Sequence, residues 1–214
     1  MPTRKPAVPT ALSSHAKGMR DRILEAAESL LRDGRLDFSM RDLAAKAGVS
    51  FATPFNQFGS KIAIMQALSS QRITRMAERF AQADVNGEAA DRVLAAVDIA
   101  TAVMLEDAQV SRAVIGSLGA PSSEPGQVRS QSRALWADAI KAADGFAPDL
   151  AELGRTALPD HLAMAFRGVL SFWTAGEIDD SDFPPRARAA MAALLLGFVS
   201  EEQRARLAGV LGQS

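Results

Sequence analysis

The chain has 214 residues, of which 48% are hydrophobic and 23% are charged, a balance that excludes a disordered, collagen-like or rod-like chain. It has no cysteine, which excludes disulfides, thiolate metal sites and a cysteine nucleophile. Its longest uncharged apolar run, the 12 residues from Ala189 to Ser200, is shorter than the roughly 20 that a membrane span needs.

The formal net charge of −1 hides a difference between the two parts of the sequence. Residues 1–61 carry ten Lys and Arg against six Asp and Glu, a net charge of +4. Residues 62–214 carry fourteen against nineteen, a net charge of −5. A basic N-terminal part on an acidic remainder favours a polyanionic partner for the first part only.

The first predicted elements are an arm and a helix. Three prolines and a lack of periodicity predict a flexible arm over residues 1–18. A helix is predicted from Met19, because apolar residues then recur on one helix face, and Gly34 predicts its end. The apolar residues of this face are Ile23, Leu24, Ala27, Leu30 and Leu31.

Two short helices are predicted next. Ser39, with Asp42 three residues later, has the pattern of a capping box, and Gly48 predicts the C-terminal end of the second helix. Ser50 is a candidate cap for a third helix, which is predicted to begin at Phe51 and to end at Phe58.

The remaining pattern is also helical. A fourth helix is predicted from Lys61, after the candidate cap Ser60, to about Ala83. Further helices are predicted over residues 88–106, 108–118, 127–145, 158–176 and 185–211. Because few segments alternate with a period of two, the predicted fold class is all-α.

The strongest functional signal lies between Ser39 and Lys61. The pattern there is helix, tight turn at Gly48, helix, and a linker of this length lets two helices pack at a steep angle. The second helix of such a unit can enter a DNA major groove about 12 Å wide. The stretch contains three Lys or Arg and one acid, a bias that suits a surface facing phosphates.

The same stretch resembles the N-terminal domain of TetR/AcrR-type transcriptional regulators. The positions that match the family pattern are Ser39, Arg41, Leu43, Ala44, Ala47, Gly48, Val49, Ser50, Thr53, Phe55, Phe58, Ser60 and Lys61. The resemblance implies a three-helix DNA-binding domain with a helix-turn-helix over residues 19–65. It also implies a larger helical domain over residues 66–214 for ligand binding and dimerisation.

The resemblance implies roles for individual residues as well. The implied DNA contacts are Ser39, Arg41, Ser50, Phe51, Ala52, Thr53, Phe55, Asn56 and Lys61. Ser39 and Lys61 match phosphate contacts, and Arg41 matches a contact to a phosphate or a guanine edge. Phe51 stands where a polar residue is frequent, and Phe55 lacks a tyrosine hydroxyl, which favours thymine methyl contacts over hydrogen-bond readout. For Phe51, packing inside the domain is the alternative.

Pro54 departs from the family pattern, which usually has leucine or another apolar residue at this position. If Phe51 is the first helical residue, Pro54 is the fourth, and the carbonyl of Ser50 loses its first intrahelical hydrogen bond. Because proline is tolerated in the first turn, we expect a late or tightened helix start and no break.

The last two predicted helices are more apolar than one core face requires, which favours a four-helix contact between two copies of the chain. The candidate dimer residues are Ala165, Gly168, Phe172, Met191, Leu195 and Phe198. The resemblance also implies a ligand pocket in the larger domain. Its candidate residues, for each of which a plain core role is the alternative, are Phe80, Met104, Leu105, Ile115, Trp136, Ile140, Phe166 and Leu170.

Catalytic and metal-binding patterns are not found in the sequence. The two histidines, His15 and His161, are far apart and lack metal-binding spacing, and there is no nucleophile elbow, P-loop or dinucleotide-binding motif. No cofactor and no membrane partner are expected. The sequence therefore predicts a non-enzymatic, cytoplasmic, homodimeric repressor that is released from a double-stranded DNA operator by a small, largely apolar effector. The alternative is an all-α small-molecule-binding or scaffolding protein with vestigial DNA binding, which Pro54 and the low polarity of the third helix favour.

Overall fold

A computed structural model describes residues 11–119 and 126–212 of the chain, with side chains described from residue 18 onward. Within these ranges the regular elements are helices, and an isolated antiparallel bridge joins Phe146 to Val199. The helices are α1 (Ala11–Arg32), α2 (Met40–Ala47), α3 (Ala52–Phe58), α4 (Lys61–Gln82), α5 (Ala89–Leu105), α6 (Ala108–Ser117), α7 (Val128–Ile140), α8 (Ala151–Thr156), α9 (Leu158–Thr174), α10 (Phe183–Leu195) and α11 (Glu201–Leu211). The prediction of an all-α chain is confirmed.

The chain divides into two compact units, the first ending at Ile64 and the second beginning at Met65. The N-terminal unit contains α1, α2, α3 and the first turn of α4, and the larger C-terminal unit contains the remaining helices. α4 passes through the boundary as one uninterrupted helix. Among the described residues, no helix has both the length and the apolar character that crossing a membrane requires.

α1 begins at Ala11, earlier than the predicted start at Met19. The arm predicted for residues 1–18 is therefore wrong over residues 11–18, and residues 1–10 lie outside the described part of the chain. Pro9 is the last proline of this region, and the residues that follow it include good helix formers. Gly18 is tolerated inside the helix, at a cost of about 1 kcal/mol relative to alanine.

The core of the N-terminal unit is built from the apolar faces of its helices. Ile23 of α1, Leu43 of α2 and Ile64 of α4 are fully buried. α2 packs against both α1 and α3, and Pro54 buries its ring on the inner side of α3. This small core holds α2 and α3 at a fixed geometry.

The C-terminal unit has one continuous hydrophobic core. Trp136, Trp173 and Phe183 are fully buried in it, and the rings of Trp173 and Phe183 stack with their centroids 4.7 Å apart. α10 packs against α5 and α9, and α7 packs against α5 and α9. Helices of the same chain cover α10 on two sides, which explains why this helix carries apolar residues around much of its circumference.

α7 ends at Ile140, before the predicted residue 145. The buried guanidinium of Arg92 donates hydrogen bonds to the carbonyls of Ala139 and Ile140, each at 2.9 Å. It also donates to both carboxylate oxygens of Asp144, at 2.6 and 2.9 Å. Lys141 then turns into the left-handed region with φ 48°. A side chain from a distant helix therefore caps α7.

The helix predicted over residues 185–211 is divided into α10 and α11. Between them the backbone pairs with a distant segment, because the N–H of Ala147 donates to the carbonyl of Phe198 at 2.8 Å and the N–H of Ser200 donates to that of Gly145 at 2.9 Å. Ser200 followed by two glutamates is a helix start signal within the predicted helix. The six-residue helix α8 was also not predicted.

Two of the predicted dimer residues are misplaced. Met191 and Leu195 are fully buried in the core of their own unit. A side chain without accessible surface cannot join a contact between copies, so this prediction is wrong for both residues. Phe172 of α9 is 53% exposed, while Ala165 and Gly168 are half-buried and Phe198 packs against the core.

Candidate nucleic-acid interface

Two local motifs define the two ends of α2, and the second of them forms the turn into α3. At the start of α2, the Ser39 hydroxyl accepts a hydrogen bond from the N–H of Asp42 at 3.1 Å, and the Asp42 carboxylate accepts one from the N–H of Ser39 at 2.8 Å. At the end of α2, Gly48 has φ 63°, a left-handed conformation in which its N–H bonds to the preceding turn. Both predicted signals of α2 are confirmed.

α3 starts late and tightly, as expected from Pro54. The helix begins at Ala52, and the N–H of Thr53 donates to the carbonyl of Ser50 at 3.0 Å, a bond one residue shorter than an α-helical one. Pro54 is thus the third helical residue and not the fourth. Its missing N–H is one of the four that have no intrahelical acceptor, so the proline costs no helical hydrogen bond.

Ser50 has a different local role from the predicted one. Its hydroxyl lies 2.7 Å from the hydroxyl of Thr53, and the start of α3 has no side-chain cap to a backbone N–H. One hydroxyl therefore donates to the other, and the accepting hydroxyl keeps its own proton for another partner. Ser50 remains exposed and Thr53 is half-buried.

The outer face of α3 is exposed and dominated by two aromatic rings. Phe51, directly before the helix, is 53% exposed, and Phe55 is 43% exposed. Their rings meet edge to face with centroids 5.6 Å apart. Ala52 and Asn56 are exposed on the same helix. The alternative that Phe51 packs inside the domain is therefore wrong.

Arg41 lies beside this aromatic pair. Its guanidinium is 5.6 Å from the centre of the Phe51 ring, within the range of a cation–π contact. Arg41 is exposed, and no carboxylate of the described residues forms an ion pair with it. A positive charge therefore stands next to the exposed face of α3 without being neutralised.

Ser39 and Asp42 are coupled electrostatically. The Ser39 hydroxyl also donates to Asp42 at 2.7 Å, and Arg35 lies 2.8 Å from the same carboxylate. Hydrogen bonds from the Ser39 backbone and side chain, followed by that from Arg35, lower the pKa of Asp42 to about 2. The Ser39 hydroxyl is therefore first of all part of the α2 cap, and a phosphate would have to compete with Asp42 for its proton.

Lys61 is held at the start of α4. Its ammonium donates to the carbonyl of Leu36 at 2.8 Å and lies 4.4 Å from the ring centre of Phe38. An ammonium has three donors, so this carbonyl leaves capacity for a phosphate oxygen. Because the bonded partner is a carbonyl and not a carboxylate, the positive charge is positioned but not cancelled.

Two arginines of α1 are also held by backbone carbonyls. The sequence analysis did not identify them as candidate DNA contacts. Arg20 donates to the carbonyl of Gln57 and lies 4.0 Å above the ring of Phe58. Arg22 donates to the carbonyl of Ala47 at 2.8 Å. Both carbonyls belong to the last turns of α3 and α2, where the helix dipole favours a cation.

The predicted ligand residues all belong to or pack against the core of the C-terminal unit. Leu105 is partly buried, and the others are at most 6% exposed. The rings of Trp136 and Phe166 meet edge to face at 5.5 Å. Near them, the half-buried Arg167 donates to the carbonyl of Ile115 at 3.2 Å, and burial lowers the pKa of its guanidinium. The described residues contain no group of three or more side chains that could hold a metal ion.

Comparison with known proteins gives matches at the level of a domain and of the fold. Residues 23–68 match the bacterial regulatory proteins of the tetR family. A TetR transcriptional regulator from Rhodococcus sp. RHA1 has a similar structure, with a TM-score of 0.69 at 23% identity over 86% of this chain and 97% of that one. No curated protein matches the sequence.

Two further solved structures are similar to this chain. RolR in complex with resorcinol has a TM-score of 0.61 at 15% identity, over 94% of this chain and 97% of that one. A γ-butyrolactone receptor has a TM-score of 0.50 at 17% identity, over 92% and 97% of the two chains. At these identities the likeness concerns the fold. The match over residues 23–68 and the α2–turn–α3 geometry show that the N-terminal unit contains a helix-turn-helix similar to that of the tetR family of bacterial regulatory proteins.

Proposed function

We propose that the chain is a homodimeric transcriptional regulator that binds a double-stranded DNA operator through α3 and releases it when a small, largely apolar effector binds. The observation that carries this proposal is the exposed face of α3, next to which Arg41 stands without a carboxylate partner. Recognition helices of this motif place their N-terminal residues against base edges in the major groove. Phe51 and Ala52 occupy that position here.

The cations of the N-terminal unit support this role. Arg20, Arg22 and Lys61 are held by backbone carbonyls, so their side chains are ordered while their charge remains available to phosphates. Phosphate contacts set the affinity and the orientation of a DNA-binding domain, and base contacts set its specificity. The distribution of charge along the sequence agrees with DNA binding by the N-terminal unit, because residues 1–61 are basic and the remainder is acidic.

A dimer is proposed on the outer face of α9. Met164 and Phe172 lie eight residues apart on this helix and are 49% and 53% exposed, with the half-buried Gly168 between them. This spacing puts all three on one side of the helix. A two-fold dimer would present two copies of α3 to half-sites about 34–36 Å apart or a multiple of that distance.

The effector is proposed to bind in the aromatic part of the C-terminal core, near Trp136 and Phe166. Resorcinol bound to RolR and the γ-butyrolactone receptor suggest small ring compounds with few polar groups as the first class to screen. Arg167 adds one half-buried cation near this region, since its carbonyl partner Ile115 belongs to the predicted pocket set. An effector releases DNA only to the extent that it binds the DNA-free conformer more tightly.

The test is selection of duplexes bound by the full chain from a random library, followed by fluorescence anisotropy across a salt series. We expect a selected duplex to bind at least about a thousandfold more tightly than scrambled DNA. Arg41→Ala and Lys61→Ala should each weaken binding about tenfold and lower the salt dependence, since each removes one cation from the phosphate-facing surface. Arg155→Ala, at an exposed arginine of α8, is the matched control and should change nothing.

The outcomes separate the proposal from its alternative. Wild-type affinity in both the Arg41 and Lys61 variants would contradict the proposal that these two residues contact DNA. Equal, weak binding to all duplexes, in a chain that still dimerises and binds effectors, would favour a small-molecule-binding protein with vestigial DNA binding. Circular dichroism of each variant shows whether the loss of the Lys61 bond to Leu36 has also disturbed the fold.

A further inference from the structure

The exposed surface of α3 has an unusual composition for a helix that reads base edges. The helix carries no charged side chain, and its sequence is ATPFNQF. Thr53 and Gln57 are half-buried, which leaves Asn56 as the exposed hydrogen-bonding side chain of this helix. Direct readout by polar groups is therefore limited to few positions.

The large exposed apolar side chains of the N-terminal unit comprise one pair and one single residue. Among its described residues they are Leu36, Phe51 and Phe55. Phe51 directly precedes α3 and Phe55 is the fourth residue of that helix, and their rings are in edge-to-face contact. A contiguous exposed apolar patch of this kind marks an interaction site more often than a scattered single residue does.

We infer that Phe51 and Phe55 form a methyl-reading pair, whose specific partner is the C5-methyl group of pyrimidines in the DNA major groove. This inference rests on the proposed function, because it names what the DNA-facing surface recognises. The C5-methyl group is the apolar feature that a thymine presents in that groove. 5-Methylcytosine presents the same group, so the pair reads the methyl and not the base.

The charges around the two phenylalanines favour DNA as their binding partner. Arg41 stands 5.6 Å from the Phe51 ring without a carboxylate partner, and Arg20 is fixed at the other end of α3. An apolar patch flanked by unneutralised cations matches a groove whose walls are phosphates and whose floor carries methyl groups. A purely apolar protein partner would leave these charges without a complement.

Removal of methyl groups gives a direct test that leaves base pairing intact. The selected operator duplex is compared with the same duplex in which thymines of one half-site are replaced, one at a time, by deoxyuridine. Each contacted methyl group should be worth about fourfold in affinity, and two of them roughly 15-fold. In a second arm, the contacted T·A pairs are replaced by C·G or by 5-methylcytosine·G, and the methylated duplex should bind more tightly than the unmethylated one.

Variants of the protein show which side chains read the methyl groups. In Phe51→Ala and Phe55→Ala the affinity ratio between the thymine and the deoxyuridine duplex should fall towards one. Leu36→Ala is the matched control, because Leu36 is 54% exposed and belongs to the same unit but lies outside α3. It should keep the wild-type ratio. The ratio compares two duplexes on one protein, so a general loss of affinity or of folded protein does not imitate the effect.

The failure of this inference is distinguishable from that of the proposed function. Sequence-specific binding that is equal for thymine and deoxyuridine duplexes would overturn the methyl-reading pair and leave the regulator intact. A deoxyuridine penalty that persists in both phenylalanine variants would overturn it as well, since other residues would then read the methyls. If no duplex is selected at all, both proposals fall.

Discussion

At the scale of single residues, Asp42 illustrates how a helix cap lowers the pKa of a carboxyl group. Its pKa is lowered to about 2 from the usual 3.8 by hydrogen bonds from Ser39 and then from Arg35. A carboxylate with a lowered folded-state pKa stabilises the folded chain at pH values above its unfolded pKa. That contribution is lost as the pH falls from about 4 through 2, because the protonated acid no longer accepts these hydrogen bonds.

This predicts a titration of Asp42 with a midpoint near 2 when its carboxyl carbon is followed by NMR. Ser39→Ala should raise the pKa towards 3.8 by removing the hydroxyl, and Arg35→Gln should raise it by removing the hydrogen bond and the positive charge of the guanidinium. A midpoint near 4 in the wild-type chain would show that the capping box does not form in solution.

Arg92 joins several segments of the C-terminal unit by hydrogen bonds from its buried side chain. Its five N–H donors are used by the carbonyls of Gly87, Ala139 and Ile140 and by the carboxylate of Asp144. We expect Arg92→Ala to lower the free energy of unfolding by about 3 kcal/mol, because carbonyls at the end of α7 lose their donors.

Urea denaturation of the full chain measures this change. Arg129→Ala is the control, since Arg129 also pairs with a carboxylate, that of Asp160, but its side chain is 73% exposed. Exposed ion pairs contribute little, so the control should unfold like the wild type. Equal effects of the two variants would contradict the role assigned to Arg92.

At the scale of elements, the turn between α2 and α3 depends on one backbone conformation. Gly48 has φ 63°, and a Cβ built there would lie 3.5 Å from the Arg22 guanidinium, an ordinary contact. The cost of Gly48→Ala is therefore that of a left-handed alanine, about 1 kcal/mol in the free energy of unfolding. Asparagine tolerates this region better, so Gly48→Asn should cost less.

The matched control is Gly116→Ala in α6, where a Cβ would meet no atom within 4 Å. Alanine is favoured over glycine in a helix, so this variant should be neutral or more stable by up to about 1 kcal/mol. Thermal unfolding followed by circular dichroism compares the variants. A Gly48→Ala variant as stable as the wild type would show that the turn does not need the left-handed conformation.

The elements also show why some sequence predictions were confirmed. The capping box of α2, its glycine stop and the cap of α4, in which the Ser60 hydroxyl accepts from the N–H of Ala63, all act within four residues. Such local interactions are encoded in neighbouring residues and can be read from them. The end of α7 and the division of the last helix depend on Arg92 and on the pairing of residues 145–147 with 198–200. Those partners are distant in the sequence.

At the scale of the whole molecule, the proposed homodimer gives a testable assembly. Phe172→Lys should convert the dimer to a monomer in sedimentation velocity, because it buries a charge in the proposed apolar contact on α9. Leu153→Lys is the control, since Leu153 of α8 is similarly exposed at 51% but lies on another helix. A Phe172→Lys chain that stays dimeric would place the interface elsewhere.

The sequence by itself determined the helical class, the helix-turn-helix and the resemblance that points to DNA, because periodicity, caps and spaced motifs are local patterns. The tertiary structure decided which apolar residues are exposed to solvent and which are buried. Phe51 and Met191 are both apolar residues of helical segments, yet Phe51 is half exposed and Met191 is fully buried. Likewise, the structure places Arg20 and Arg22 at the ends of α3 and α2. Burial and pairing across 25 or more positions arise only when the helices pack, so no local pattern contains them.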